Sequence, residues 1–304
     1  MDTGILDSST DAAFDAASSA VDEFGVKKIY PTISAGREWY LPADPTVSDG
    51  EWTPHDLVKG PEPGSVTIMG SPRIDVVSPK GKAWWRNVEI TAYLRYGKVD
   101  TTDPSQQPHW TFYARGERHT TKTTADPSTI NGGVSAPTGT AVWPGYPYAG
   151  LSSIDARCLG TSLKGFMWPD GRVEWKKEIS HTAGYTAGLG IKTAVAGGVI
   201  KSGWFGFKVV IRNVDADKHV HLESYVDADA SGAWVKATEV DDLGAWNAQA
   251  PPSGTALLDG CDAAPFGYKN DTVITWAGPN VTFRVDNLDY DFKWASAREI
   301  APLP

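Results

Sequence analysis

The sequence predicts an all-β fold, a jelly-roll β-sandwich of two curved antiparallel sheets, and three observations carry that prediction. Apolar and polar residues alternate with a period of two in segment after segment. Turn formers punctuate the 304-residue chain throughout, with 31 Gly and 21 Pro that gather in no single tract. No segment after Lys27 sustains a 3.6-residue period. Short strands with turn signals between them make a sandwich or a barrel.

Residues 1–26 read as an N-terminal extension rich in Asp, Ala and Ser. It is either a weak helix, with Leu6, Phe14, Val21 and Phe24 in one stripe behind Ser9 or Thr10, or a disordered segment. Residues 27–304 read as a single β domain. In 88–96, Val88, Ile90, Ala92 and Leu94 take one face while Glu89, Thr91, Tyr93 and Arg95 take the other. In 109–119, Trp110, Phe112 and Ala114 oppose Thr111, Tyr113, Arg115, Glu117 and His119. In 171–181, Val173, Trp175 and Ile179 oppose Arg172, Glu174, Lys176 and Glu178. Further strands are expected at 203–214, 219–227, 272–276, 281–287 and 291–300. The stretches 41–65 and 120–150 read as long loops, the second long enough to cover or edge a site.

The net charge of −9 excludes a nucleic-acid binder, which needs a basic footprint. No apolar run approaches the ~18–20 residues that span a bilayer. The first residues lack the basic and apolar regions of a signal peptide, and Met1 is read as a start added to a mature, secreted chain, expected to be a monomer, although a cytosolic protein presents the same N-terminus. Thirteen tryptophans exceed ordinary usage and suit a β core, aromatic platforms for sugar rings, or both. Cys158 and Cys261 are too far apart for a zinc knuckle or a CxxC pair; they form either one disulfide or two buried thiols.

The closing run "WAGPNVTFRVDNLDYDFKWASAREI" (276–300) resembles the last strands of the concanavalin A-like lectin/glucanase superfamily. The runs "GFKVVIRNV" (206–214) and "HVHLESYVDADASGAWVKATE" (219–239) resemble the superfamily's strand, ligand-facing strand and hairpin. Within it, the charged strands at 88–96 and 109–119 look most like polysaccharide lyases of the alginate-lyase and glucuronan-lyase type. The resemblance implies a secreted protein that cleaves a uronate-containing glycan by β-elimination in a sheet-lined groove. The alternatives are a non-catalytic carbohydrate-binding or lectin-like module, or a glycoside hydrolase.

Such a lyase needs a cation to neutralise the substrate carboxylate, a base for the C5 proton and an acid for the leaving oxygen. The candidates are His119 or His181 as base, Tyr185 or Tyr113 as acid, and Arg95, Arg115 and Lys176 as carboxylate clamps, with Tyr93, Glu117 and Lys164 beside them. Their alternative is a set of cross-strand pairs on a wet sheet face. Glu174 and Glu178 flank Lys176 at the ~6.6–6.8 Å strand spacing, a separation suited to a glycosidase pair. The intervening cation favours two ionised carboxylates, which disfavours a general acid there. His219 and His221 share a face with Glu223 and Tyr225, a conceivable metal pair without an evident third ligand. "DADASG" (227–232) echoes a calcium loop through Asp227 and Asp229, but reads better as a hairpin with Gly232 at positive φ. No cofactor is expected.

Overall fold

The alternating segments at 88–96 and 203–214 become neighbouring strands inside a large sheet. The structure, a computed structural model, describes residues 20–45, 57–68, 73–77, 84–99, 107–116, 161–178, 185–195, 200, 203–244, 246, 272–278 and 280–304. The strands in chain order are β1 (Glu38–Tyr40), β2 (Leu57–Lys59), β3 (Val66–Ile68), β4 (Arg73–Val77), β5 (Val88–Val99), β6 (His109–Gly116) and β7 (Ser162–Met167). There follow β8 (Arg172–Glu178), β9 (Leu189–Thr193), β10 (Trp204–Val214), β11 (His219–Asp227), β12 (Val235–Asp242), β13 (Asn280–Asp286) and β14 (Leu288–Glu299).

They form two antiparallel sheets. The eight-stranded sheet runs β12-β11-β10-β5-β14-β3-β2, with β1 also on β14; the six-stranded sheet runs β4-β13-β6-β7-β8-β9. The expected jelly-roll sandwich is what the chain forms. Among the described residues no helix is long and apolar enough to cross a membrane.

The core lies between the sheets and is built from the apolar half of each alternation. Phe112 on β6 meets Phe207 on β10 with ring centroids 5.1 Å apart, and Trp110 meets Phe205 at 4.9 Å. Phe283 on β13 touches both Phe112 (5.0 Å) and Phe292 on β14 (5.2 Å), so one ring ties the two layers together. Each such buried aromatic contributes roughly 1.5–3 kcal/mol. Gly165 on β7 faces the opposite sheet at close range: a Cβ there meets Val209 Cγ1 at 2.5 Å. Gly165→Ala is therefore expected to cost about 1–3 kcal/mol through overpacking, read as a lower chemical-denaturation midpoint.

Several register shifts break the period of two, and two of them coincide with a non-glycine residue at positive φ. Across β6 and β13, Val281 pairs Ala114 and Asn280 pairs Gly116, leaving Arg115 as the extra residue at φ +62°. On β14 the register shifts between Lys293 and Ser296, and Trp294 takes φ +52°. Residues 27–30 lie over the outer face of the eight-stranded sheet, where the Ile29 and Tyr30 N–H groups donate to Glu89 and Lys208 Nζ donates to the Lys27 carbonyl. Asp22 Oδ1 accepts the N–H groups of Phe24 and Val26, each at 2.9 Å, shaping a turn within the stretch read as an extension.

Candidate functional site

The outer face of the six-stranded sheet gathers the polar half of four adjacent strands. Register makes rows across it: Arg284, Thr111, Phe166 and Glu174 in one, and Thr282, Tyr113, Lys164 and Lys176 in the next. Asp286 faces His109 at the end of β6, and Tyr185 joins the face through a bridge to Glu178. Toward the His109 end these side chains line a cleft of about 370 Å³, bounded chiefly by His109, Phe166, Trp168, Lys176, Tyr185 and Arg284.

The floor is aromatic. Phe166 and Trp168, at i and i+2, are stacked with centroids 5.4 Å apart and planes 18° apart. Lys176 Nζ stands 5.0 Å over Phe166, Arg172 lies 4.4 Å over Trp168, and the His109 ring is 5.1 Å from Phe166. Cation–π contacts of this kind hold long basic side chains against ring faces.

The polar groups form ion pairs around that floor. Arg284 Nη1 donates to the Tyr185 hydroxyl oxygen at 2.6 Å, and its Nε and Nη2 reach Asp286 at 3.0 and 2.7 Å. Burial works against the Arg284 charge, but Tyr185 and Asp286 beside it raise its pKa above the ordinary arginine value. Asp286 also faces His109 Nε2 at 3.0 Å; burial pushes this carboxyl up, while His109 and Arg284 outweigh that and hold it below the usual carboxylate value. Beneath Tyr185, Lys164 is fully buried, with Nζ 2.5 Å from Glu178 and 4.3 and 4.5 Å from the Tyr113 and Tyr185 rings. Burial opposes its charge, yet Glu178 and the two phenols raise its pKa.

The sequence-based candidates divide between several places. Tyr113, Lys164, Glu174, Lys176, Glu178 and Tyr185 share this one face. Tyr93 and Arg95 do not, a correction: β5 belongs to the other sheet. Tyr93 donates to Asp227 at 2.7 Å there, and Arg95 is bound to Asp291 (2.6 Å) and Glu62 (3.0 Å). Arg115 is also corrected. The bulge turns its side chain out of the expected face into full burial, where it donates to the carbonyls of Arg86 (2.7 Å) and Ile274 (2.6 Å) and to Asn87 Oδ1 (3.2 Å). It holds loops together and clamps no substrate. Glu117, His119, His181, Cys158 and Cys261 lie outside the described residues, as does the loop at 120–150.

Glu174 and Glu178 are each bound to a lysine, Lys176 at 2.9 Å and Lys164 at 2.5 Å. A glycosidase pair with one protonated member is not what this arrangement favours. Asp227 accepts from Tyr93, from the Ser231 N–H at 3.0 Å and from the Gly232 N–H at 2.8 Å, with Gly232 at φ +85°. The "DADASG" run is thus a hairpin whose Asp227 carboxylate accepts from N–H and O–H donors.

Sequence reasoning missed His109, Phe166, Trp168, Arg284 and Asp286. The signal is present in the sequence: the alternation of the strand expected at 281–287 places Arg284 and Asp286 together on the face opposite Val281, Phe283 and Val285.

These features define a two-sheet β-sandwich with an aromatic-floored, ion-paired cleft on one sheet. No family model matches the chain, and no curated protein does. Among solved structures it is similar to a galectin-like-fold protein of unknown function from Bacillus subtilis, at TM-score 0.41 and 8% identity, over 90% of this chain and 100% of that one. It is also similar to arcelin-5, a lectin-like defence protein from Phaseolus vulgaris, at TM-score 0.40 and 6% identity, over 88% and 100%. A third is a putative glycosyl hydrolase from Parabacteroides distasonis, at 0.38 and 12%, over 86% and 94%.

Proposed function

We propose that the protein binds a polysaccharide in the cleft of the six-stranded sheet and cleaves it there by β-elimination at a uronate residue. The observation that carries this reading is the Tyr185 hydroxyl at the cleft wall, with an Arg284 N–H 2.6 Å from its oxygen. The Phe166–Trp168 stack supplies an apolar floor for sugar faces. Lys176 and Arg284 supply positive charge for a uronate carboxylate.

In this scheme a base, the role the sequence assigns to His119 or His181 outside the described residues, takes the C5 proton, and the electron pair moves into the carboxylate-stabilised intermediate. The C4–O4 bond then breaks, and Tyr185 delivers its proton to O4. As that proton leaves, charge develops on the phenolic oxygen where the Arg284 N–H already points, which is the preorganised stabilisation such a step requires. The products are a 4,5-unsaturated uronate end and a free 4-hydroxyl.

The test is incubation with alginate and with polyglucuronate, following the ultraviolet absorbance of the unsaturated end. Appearance of that absorbance supports cleavage. Saturable binding without it supports the second reading, a lectin-like carbohydrate-binding module, which is favoured by the pairing of Lys176 and Arg284 with the protein's own Glu174 and Asp286. Neither signal removes both. Lys176→Gln, which keeps a donor near Glu174 and deletes the charge, is expected to weaken polyuronate binding about tenfold, ~1.4 kcal/mol, while leaving any binding of neutral glucan unchanged in isothermal titration.

A further inference from the structure

We propose that the outer face of the eight-stranded sheet carries a site for a divalent cation of the zinc class, formed by His221 Nε2, Glu223 and Glu239 on β11 and β12. It lies on the sheet opposite the cleft and does not depend on the glycan reading.

The register builds it. His221 and Glu223 stand at i and i+2 on β11, and β12 sets Asp241 opposite His221 and Glu239 opposite Glu223. Two carboxylates directly across a strand pair repel each other, so the pairing is unfavourable unless a cation sits between them. One ligand atom each from His221, Glu223 and Glu239 lies within 4.8 Å of the others. An imidazole with two carboxylates suits Zn²⁺, with a fourth position left for water.

Two further observations point to a metal rather than to a crowd of surface acids. His221 Nδ1 is 2.5 Å from Asp241 Oδ1, which orients the ring with Nε2 toward Glu223, 3.6 Å from Oε1. A carboxylate behind the imidazole is the support that metal-bound histidines have. Glu223 is fixed in turn, its Oε2 accepting from the Tyr30 hydroxyl at 2.8 Å. The position between the carboxylates already attracts positive charge: Lys236 Nζ lies 2.5 Å from Glu223 Oε1 and 2.9 Å from Glu239 Oε2. Lys236 is 42% exposed on a flexible stem, so it swings into solvent when a dication takes its place. His219 takes no part, being bound to Asp215 at 3.1 Å. The partner that the sequence did not reveal comes from the next strand.

The test uses chelator-treated full-length protein titrated with ZnCl₂, read by calorimetry and thermal unfolding. One equivalent is expected to bind with a rise in unfolding temperature. Glu239→Gln, at a 54% exposed side chain whose loss leaves the fold intact, abolishes both effects. Asp241→Asn weakens binding about 10–100-fold. Lys236→Met removes the competing ammonium and tightens binding, the opposite of what a purely structural ion pair predicts. No saturable zinc binding in the wild type and Lys236→Met, or binding that Glu239→Gln leaves unchanged, overturns the proposal.

Discussion

Tyr185→Phe is expected to lower the turnover of a polyuronate about 10²–10⁴-fold while leaving substrate affinity close to that of the wild type. The substitution removes one oxygen and little else. The ring still meets Phe166, 6.0 Å away between centroids, and still covers Lys164 Nζ. Arg284 loses one acceptor but keeps both contacts to Asp286, so the wall of the cleft stays in place. The stability change is therefore about 1 kcal/mol, the cost of one hydrogen bond. A fall in kcat with unchanged KM, and an unfolding temperature lowered by only about 2–4 °C, separates proton transfer from scaffolding. Full turnover in the variant ends the assignment of Tyr185 as the acid.

That residue was legible in the sequence, but the company it keeps was only half so. A period of two tells which residues of one strand share a face; it does not tell which sheet the strand joins. Strands β5 and β6 follow one another and carry similar alternation, yet β5 pairs with β10 and β14 while β6 pairs with β7 and β13. Tyr93 and Arg95 therefore face away from Tyr113 and Lys164 across the thickness of the sandwich. Arg115 shows a different limit. One inserted residue at φ +62° is enough to reverse a side chain, and nothing in "YARGE" other than the following glycine marks it. The core was legible where the alternation was plainest, because every alternating apolar residue of 88–94 and 110–114 lies buried between the sheets, but Trp39, Val66, Ile74, Val76, Trp84 and Trp85, which join the same core, come from short segments without that signal.

The same blindness to long-range pairing hid the buried charges on the other face. Glu89 belongs to the polar half of the 88–96 alternation, yet it has no exposed surface at all. Its carboxylate lies 2.5 Å from Lys208 Nζ and 2.7 Å from Arg298 Nη2, and it accepts the N–H groups of Ile29 (3.1 Å) and Tyr30 (3.0 Å). One side chain thus neutralises two buried cations from β10 and β14 and ties the 27–30 segment down over them. Glu89→Gln leaves those cations uncompensated, and a loss of about 3–5 kcal/mol is expected in denaturant unfolding.

The pH dependence gives the second half of that prediction. Burial pushes the Glu89 pKa up, but Lys208, Arg298 and the Tyr30 N–H outweigh it, so the folded value lies below that of the unfolded chain. A depressed carboxyl contributes stability that is fully present above the unfolded value of about 4.3 and is lost as the pH falls through the folded value. The stability gap between wild type and Glu89→Gln is therefore constant near neutrality and closes in acid, because protonation does to the wild type what the substitution does to the variant. Equilibrium unfolding of both proteins from pH 7 downward measures the gap directly. A gap that is small at neutral pH, or that widens in acid, removes Glu89 as the electrostatic anchor of this face.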